Sequence, residues 1–179
     1  MYLGTRIAGI ALLVVFAAWF VLISPDAAAQ SNENAVELKT VKYADLVKAV
    51  RAQRGKVVVI DLWGDFCIPC KREFHNLVEL NQQYGDKGLV CMSVALDPPE
   101  GSEGALKFLK KSKATFANYW LDEKASYWQE RWGIKGPPAV FVFDRQGRRA
   151  AKFDSEDPEK PLSYEDVKKL VPKLLAPPS

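Results

Sequence analysis

The stretch Val57–Cys70, VVVIDLWGDFCIPC, determines how the rest of the sequence is interpreted. It begins with a short run of β-branched residues, which is typical of a strand buried on both faces. After Cys70 the apolar residues change to a helical period, so the stretch predicts a strand that leads directly into a helix. Two intervening residues let Cys67 and Cys70 share the first helical turn, where a disulfide can close and the helix N-terminus stabilises a thiolate. This spacing predicts the chemistry of electron exchange.

The first part of the chain has the composition of a targeting segment. Residues 7–23 carry no charged side chain and follow a single Arg6, and they are at the short limit for crossing a bilayer. Three alanines before Gln30 fit a cleavage site, so residues 1–29 are expected to be a signal peptide. The alternative is an uncleaved N-terminal anchor, with residues 7–23 as a membrane tether. Either outcome predicts export, to a periplasm or to the outer face of the cytoplasmic membrane.

The remaining residues suffice for one domain. With 179 residues and 48% hydrophobic content, the chain is long enough for one compact domain and an appended segment. We expect a flexible lead-in over residues 30–38 and the domain over residues 39–176. The net charge of +3 is spread among interspersed acids and bases, so no basic patch for nucleic acid is predicted.

Strand and helix signals alternate on both sides of the central stretch. A strand at residues 89–96 should lie parallel to the first one, because a crossover helix ending at Gly85 separates them. Further elements are expected as helices over residues 43–53, 102–113 and 125–132, a short strand over residues 116–121, and a hairpin within residues 139–153. This order predicts an α/β fold with a mixed central sheet flanked by helices.

The last helix is expected to begin after Ser163. Asp166 stands three residues later and is predicted to complete a variant of the capping box. Pro172 is expected to kink or end the helix near Val171, because proline removes a backbone donor and clashes with the preceding turn.

These features resemble the thioredoxin superfamily, in particular its exported TlpA/ResA-like branch of thiol-disulfide oxidoreductases. The residues Trp63–Cys70 stand for the active-site motif of that branch, and the resemblance covers residues 36–175. It implies a thioredoxin fold in which residues 97–132 are the inserted helix and strand segment. Pro138, after Pro137, falls where the superfamily has a cis-proline facing the disulfide.

The sequence departs from the family pattern at two notable positions. Ile68 stands between the cysteines where Gly, Glu or Pro is usual, and His75 stands where the family often has Pro. Because the residues between the cysteines tune the reduction potential, Ile68 leaves the direction of electron flow open.

Four residues are the candidates for catalysis. Cys67 is expected to be the exposed nucleophile, and Cys70 the shielded thiol that resolves the mixed disulfide. The resemblance implies that Asp61 is a buried acid that accepts a proton from Cys70 through water, the alternative being an acid at the strand end that faces solvent. Glu73 matches an acid common in the branch and would oppose thiolate formation by like charge, or it is a solvated acid favoured by the helix dipole.

Other side chains are expected to bind the partner or to fill the core. An apolar rim around the cysteines should dock a partner polypeptide; its predicted members are Trp63, Phe66, Ile68, Pro69, Pro137 and Pro138. Cys91 lies in a strand-like run and is expected to be a small buried hydrophobe, and His75, the only histidine, a surface residue.

The sequence thus predicts an enzyme, a thiol-disulfide oxidoreductase whose only redox group is the Cys67–Cys70 disulfide, with no further cofactor. The resemblance implies a reductant that draws electrons from a membrane partner of the thiol-disulfide type and serves apocytochrome c or other exported protein thiols. The alternative is a non-catalytic thioredoxin-fold module that binds a peptide or holds Cu(I), for which Met92 or His75 would have to lie beside the thiols. No zinc site is predicted, because zinc needs about four ligands and no second Cys or His pair is present.

Overall fold

The computed structural model describes residues 36–155 and 162–177, which form a six-stranded mixed sheet covered by helices. The predicted signal peptide or anchor, residues 1–29, lies outside the described residues. The strands are β1 (Lys39–Val41), β2 (Val57–Trp63), β3 (Leu89–Ala95), β4 (Ala117–Leu121), β5 (Ala139–Phe143) and β6 (Arg149–Asp154). They lie in the order β1-β4-β3-β2-β5-β6.

The strand β2 is central and all seven of its residues are buried. It pairs in parallel with β3, from Val57 opposite Leu89 to Trp63 opposite Ala95, and antiparallel with β5. The predicted parallel pairing is confirmed. Because β2 has a neighbour on each side and helices on both faces, its nearly continuous apolar sequence is what this position requires.

Helices cover the two faces of the sheet unequally. They are α1 (Tyr43–Arg51), α2 (Ile68–Glu73), α3 (His75–Tyr84), α4 (Ser102–Lys111), α5 (Ala125–Trp132) and α6 (Tyr164–Leu175). One apolar layer, on the α3, α4 and α6 side, includes Val59, Trp63 and both active-site cysteines. The other layer, on the α1 and α5 side, includes Ile60 and Leu62. Alternate residues of β2 therefore face different layers. Within residues 36–155 and 162–177, no helix has the length and apolar character needed to cross a membrane.

The helix predicted after the cysteines is two helices that meet at Phe74. The Asn76 amide donates to the Glu73 carbonyl oxygen at 2.8 Å, and the Leu77 N–H donates to the Phe74 carbonyl at 3.1 Å. A side chain thus occupies a carbonyl that a continuous helix would use, and the next bond spans only three residues. The interruption adjoins His75, where the family often has proline.

The helix α6 begins after Ser163 as predicted, but its capping and its C-terminal end differ from the prediction. Ser163 precedes it but makes no side-chain capping bond, so the expected capping box is wrong. Instead the Asp166 N–H donates to the backbone carbonyl of Ser163 at 3.1 Å. The expected end near Val171 is also wrong, because α6 continues through Pro172 to Leu175. Only one turn remains after Pro172, and it is stabilised because the Arg145 Nη2 donates to the Leu175 carbonyl at 2.7 Å.

The edge strand β1 was not predicted from the sequence. Its three residues are too few to show the alternation that identifies a strand. It pairs in parallel with β4, with Lys39 opposite Tyr119 and Val41 opposite Leu121. The segment 97–132 supplies β4, so the predicted insertion builds the sheet between β1 and β3.

Candidate active site

Cys67 and Cys70 form a disulfide at the N-terminus of α2, with 5.3 Å between their Cα atoms. Cys67 is the N-cap residue of this helix, and its Sγ accepts a hydrogen bond from the backbone N–H of Cys70 at 3.3 Å. Pro69 stands in the first turn, where its missing N–H would have had no partner within the helix. After reduction, the backbone N–H groups at this helix end stabilise a thiolate on Cys67.

Both sulfurs are shielded in the disulfide state. Cys67 is 6% exposed and Cys70 is 3% exposed, so the expectation of an exposed Cys67 is wrong for this state. The reason is that the Cys67 sulfur is bonded to Cys70 and turned toward the helix N-terminus. The exposed surface beside it belongs to Phe66, 60% exposed, and Ile68, 75% exposed.

The predicted apolar rim is present without one of its members. Phe66, Ile68 and Pro69 are exposed, and Pro137 and Pro138 are partly buried. Trp63, in contrast, is fully buried and is not a rim residue. As the last residue of β2 it faces the apolar layer on the α3, α4 and α6 side, where its ring centroid lies 5.3 Å from that of Phe74 and 5.0 Å from that of Phe108.

The peptide bond between Pro137 and Pro138 is cis, as the resemblance implied. It lies at the start of β5, the strand that pairs with β2. The sheet therefore brings the two proline residues to the end of the molecule where β2 passes into the cysteine turn.

Asp97 fixes the loop before the cysteines, and sequence reasoning did not identify it. This residue lies two positions after the end of β3, is buried, and accepts a hydrogen bond at Oδ1 from the Asp65 N–H at 2.7 Å. Burial raises the pKa of Asp97, and the N–H groups of Asp65 and Phe66 oppose this shift. The Asp97 carbonyl accepts from Trp120 Nε1 at 2.8 Å. An acid two positions after a buried strand was the available signal.

A salt bridge crosses the cysteine turn on its outer side. The Lys71 Nζ lies 3.1 Å from Asp65 Oδ1, and both side chains are about one third exposed. This bridge ties the loop before Cys67 to the first helix after it. Its stabilisation is small because solvent screens it, on the order of 1 kcal/mol or less.

Asp61 is a buried acid in the same layer as the cysteines. It stands on β2 between Val59 and Trp63, which both belong to that layer, and it is 3% exposed. The alternative of a solvent-facing acid is therefore wrong. Burial raises the pKa of Asp61 to about 7, and a hydrogen bond from Tyr164 opposes the shift. The Tyr164 hydroxyl donates this bond to Asp61 Oδ2 across 103 sequence positions, and no local sequence signal could have indicated the pair.

Cys91 and Glu73 are the other titratable residues near this pair. Cys91 is 1% exposed, as expected of a buried hydrophobe, and burial together with the charge of Asp61 raises the pKa of its thiol well above the usual range. Glu73 is partly exposed, and its Oε2 accepts from the Asn76 amide at 3.1 Å. A catalytic role for Glu73 stays a prediction.

The two candidate copper ligands lie in different surroundings from the cysteines. Met92 belongs to the apolar layer on the opposite face of the sheet. His75 is exposed, and its Nδ1 lies 2.9 Å from the carbonyl oxygen of Arg72. The structure therefore gives Met92 no access to the thiols.

Comparison with known proteins agrees with this geometry. A family model described as thioredoxin-like matches residues 55–149, which is more than half of the chain. The chain belongs to the thioredoxin-like family. The matched region runs from the residues just before β2 to the first residue of β6, so it includes the cysteines and both prolines.

Two relatives of the chain are named as thiol-disulfide exchange proteins. The chain is 28% identical over 119 residues to the thiol-disulfide oxidoreductase ResA of Bacillus thuringiensis, a match that covers 66% of each protein. It is 28% identical over 123 residues to the thiol:disulfide interchange protein HelX of Rhodobacter capsulatus, covering 68% of this chain and 62% of HelX. The chain thus spans slightly less than two thirds of either relative.

A solved structure also resembles the protein. The thioredoxin domain of a thiol-disulfide oxidoreductase from Bacteroides vulgatus superimposes with a TM-score of 0.55 at 26% sequence identity. The superposition covers 68% of this chain and 83% of that domain. The thioredoxin fold predicted from the sequence is confirmed.

Proposed function

We propose that this protein is a thiol-disulfide oxidoreductase that exchanges its Cys67–Cys70 disulfide with protein thiols. The observation that carries the proposal is the disulfide itself, placed at the N-terminus of α2 in a thioredoxin fold. In the reduced protein, the Cys67 thiolate attacks a substrate disulfide and forms a mixed disulfide, with one substrate sulfur leaving as a thiolate. Cys70 then attacks Cys67 and releases the second substrate sulfur, so two electrons pass to the substrate. The two cysteines hold these electrons, and no cofactor takes part.

Asp61 accepts the proton of Cys70 in the second step, the resolution of the mixed disulfide. Cys70 is shielded and must lose its proton before it can attack, whereas the Cys67 thiolate is already stabilised by the helix N-terminus. With a pKa raised by burial to about 7, the Asp61 carboxyl can take up and release a proton near neutral pH. A water molecule between the two groups carries the proton.

The protein acts as a reductant. A carboxylate in the cysteine layer disfavours a thiolate there by like charge. A strong oxidant of this fold is strong because its reduced form is stabilised. The burial of Asp61 in the cysteine layer works in the opposite direction and favours the disulfide, so the reduced protein readily gives up its electrons.

The composition of the N-terminal segment and the resemblance to the family support a setting outside the cytoplasm. Residues 1–29 direct the chain out of the cytoplasm, either as a cleaved signal peptide or as an anchor with residues 7–23 as the tether. A membrane protein of the thiol-disulfide type returns electrons to Cys67 and Cys70. The substrates are disulfides of exported proteins, apocytochrome c among them, that dock on the apolar rim around Phe66 and Ile68.

Cysteine variants in an insulin-reduction assay test the reaction. Cys67→Ser should abolish turnover, and Cys70→Ser should trap mixed disulfides, because the first sulfur attacks and the second resolves. Cys91→Ala is the matched control and should keep the rate within a factor of about two, at a cost of about 1 to 2 kcal/mol in stability. Full turnover by Cys70→Ser would show that the dithiol mechanism is wrong.

The direction of electron flow has its own test. The oxidised and reduced forms are equilibrated with glutathione buffers, and the fraction of disulfide is read from the alkylated thiols. We expect a reduction potential near that of thioredoxin, about −270 mV. A potential near that of the strong oxidants, about −120 mV, would overturn the assignment as a reductant.

A further inference from the structure

Tyr164 is the first residue of α6, and its side chain enters the core beside β2. It is 5% exposed, and its hydroxyl donates to Asp61 Oδ2. The ring packs in the same apolar layer as Cys67 and Cys70. Two buried polar groups, 103 positions apart in the chain, thus satisfy one another inside the layer that holds the disulfide.

Packing alone does not explain the hydrogen bond between Tyr164 and Asp61. A buried hydroxyl without a partner is destabilising, and phenylalanine would fill nearly the same volume without that risk. The presence of the hydroxyl therefore indicates that its hydrogen bond has a role of its own. Its only hydrogen-bond partner among the described residues is the carboxyl that the proposed reaction requires as a proton acceptor.

Among the groups near Asp61, the Tyr164 hydroxyl is the main one that stabilises the ionised carboxyl. Cys91 on β3 is neutral near pH 7, because its pKa is raised. Glu73 on α2 acts on Tyr164 as a negative charge. The residue opposite Asp61 on β5 is Val140, and the same layer holds the apolar Leu77 of α3 and Phe74, which lies between α2 and α3. No lysine or arginine among the described residues contributes to the charge balance of Asp61.

We propose that Tyr164 is a positioning residue of this oxidoreductase, whose hydroxyl orients the Asp61 carboxylate and stabilises its ionised form. The proposal rests on the proposed function. Tyr164 engages Oδ2, so the other carboxylate oxygen is the one that takes the proton released by Cys70. Tyr164 keeps its own proton throughout, and the proton that Asp61 accepts returns to solvent when the mixed disulfide has been resolved.

The direction of the effect follows from the charge of the acceptor. A donated hydrogen bond favours the ionised carboxyl, so it lowers the pKa of Asp61 against the raising effect of burial. Removing the hydroxyl should raise that pKa further and reduce the ionised fraction at neutral pH. A bond to a charged group corresponds to a shift of about one to two pH units.

The test is Tyr164→Phe in single-turnover kinetics of the reduced full-length protein with a disulfide peptide. Formation and resolution of the mixed disulfide are followed separately from about pH 5 to about pH 9. The acid limb of the resolution step should move up by about one to two units, and resolution at about pH 7 should slow at least threefold, with recovery at high pH. Formation of the mixed disulfide should not slow, because a more neutral Asp61 does not disfavour the Cys67 thiolate. A superimposable resolution profile would overturn the proposal.

Two controls separate positioning from a structural role. Tyr119 is a partly buried tyrosine in the opposite apolar layer, so Tyr119→Phe should leave the resolution profile unchanged. In an Asp61→Asn background, Tyr164→Phe should cause no further shift, because the titrating group is gone. An equal shift in both backgrounds would show that Tyr164 does not act through Asp61.

A direct titration distinguishes failure of this proposal from failure of the proposed function. The carboxyl carbon of Asp61 is followed by NMR in the wild type and in Tyr164→Phe, and its pKa should be higher in the variant. If the wild type reduces no disulfide at all, the proposed function fails although the titration still shifts. If the wild type turns over and the Asp61 titration does not move, only the role of Tyr164 is overturned.

Discussion

Asp61 serves the proposed chemistry at the expense of stability. Its carboxyl is fully buried on β2, and burial raises its pKa from about 3.8 to about 7. The folded protein therefore binds a proton that the unfolded chain releases at a lower pH. Since the folded-state pKa is the higher one, proton binding at Asp61 contributes to the unfolding free energy. This contribution is complete below about pH 4 and is lost as the pH rises through about 7, which leaves the folded protein with a buried charge.

The first prediction concerns this pH dependence. Between about pH 5 and about pH 8 the wild type should lose roughly 3 kcal/mol of unfolding free energy through Asp61 alone. Asp61→Asn keeps the shape and still accepts the Tyr164 bond, so it should be more stable than the wild type at about pH 8. Urea unfolding of both proteins at the two pH values measures the difference. Parallel pH dependence in the two proteins would contradict the assignment of the titration to Asp61.

At the scale of elements, the sequence predicted correctly the helices and strands whose bounds depend on neighbouring residues. The strand β2 and the helix α5 were predicted almost to the residue, because an apolar run and a Gly133 stop are properties of short segments. The break between α2 and α3 was missed because it depends on the side chain of Asn76. The end of α6 was missed because the Arg145 side chain, from the distant β5–β6 turn, stabilises its last turn.

The short turn between β3 and α4 gives the second prediction. This 3₁₀ turn, Pro99–Gly101, packs against Asp97 so closely that a Cβ on Gly101 would lie 2.8 Å from Asp97 Cβ. Gly101→Ala should displace Asp97 and weaken its hydrogen bond to the Asp65 N–H. We expect a loss of about 1 to 3 kcal/mol in unfolding free energy, typical of overpacking.

Denaturant unfolding measures the effect of Gly101→Ala, with Gly85→Ala as the control. A Cβ on Gly85 meets nothing closer than 3.8 Å, so that substitution should be neutral or slightly stabilising. Faster alkylation of Cys67 in reduced Gly101→Ala would report a loosened cysteine loop. If both variants have the wild-type stability, the close contact at Asp97 does not hold the loop.

At the scale of the whole molecule, the site is assembled from four separate parts of the chain. The cysteines and Asp61 come from the β2–α2 segment, and this part could be predicted from the sequence because its residues are neighbours. Pro138 was placed by resemblance to a family. Asp97 and Tyr164 were not predicted, because their roles exist only after the sheet brings the end of β3 and the start of α6 to the cysteine turn.

Two large exposed apolar side chains flank the disulfide on the outer surface of this assembled site. Among the residues that the structure describes, the exposed large hydrophobic side chains are Phe66, Ile68 and Tyr127, and two of these three flank the disulfide. The Phe66 ring also lies against the backbone of Gly64, where a Cβ would be 2.5 Å from Phe66 Cε1. The ring therefore packs on the backbone of Gly64 and leaves most of its surface exposed, which suits a surface that docks a polypeptide.

The third prediction is that Phe66 contributes to binding of protein substrates and not to the chemistry of the sulfurs. Covering an aromatic side chain contributes about 1.5 to 3 kcal/mol, so Phe66→Ala should raise the KM for a protein disulfide about tenfold or more. The rate with a small disulfide, which is too small to cover the Phe66 side chain, should stay within a factor of about two. Phe66→Leu keeps an apolar side chain and should restore most of the affinity.

Because Phe66 lies outside the core, unfolding free energies of both variants should match the wild type within about 0.5 kcal/mol. An equal loss of rate with the protein substrate and the small disulfide would place the effect of Phe66 on the reactivity of Cys67 instead of on docking.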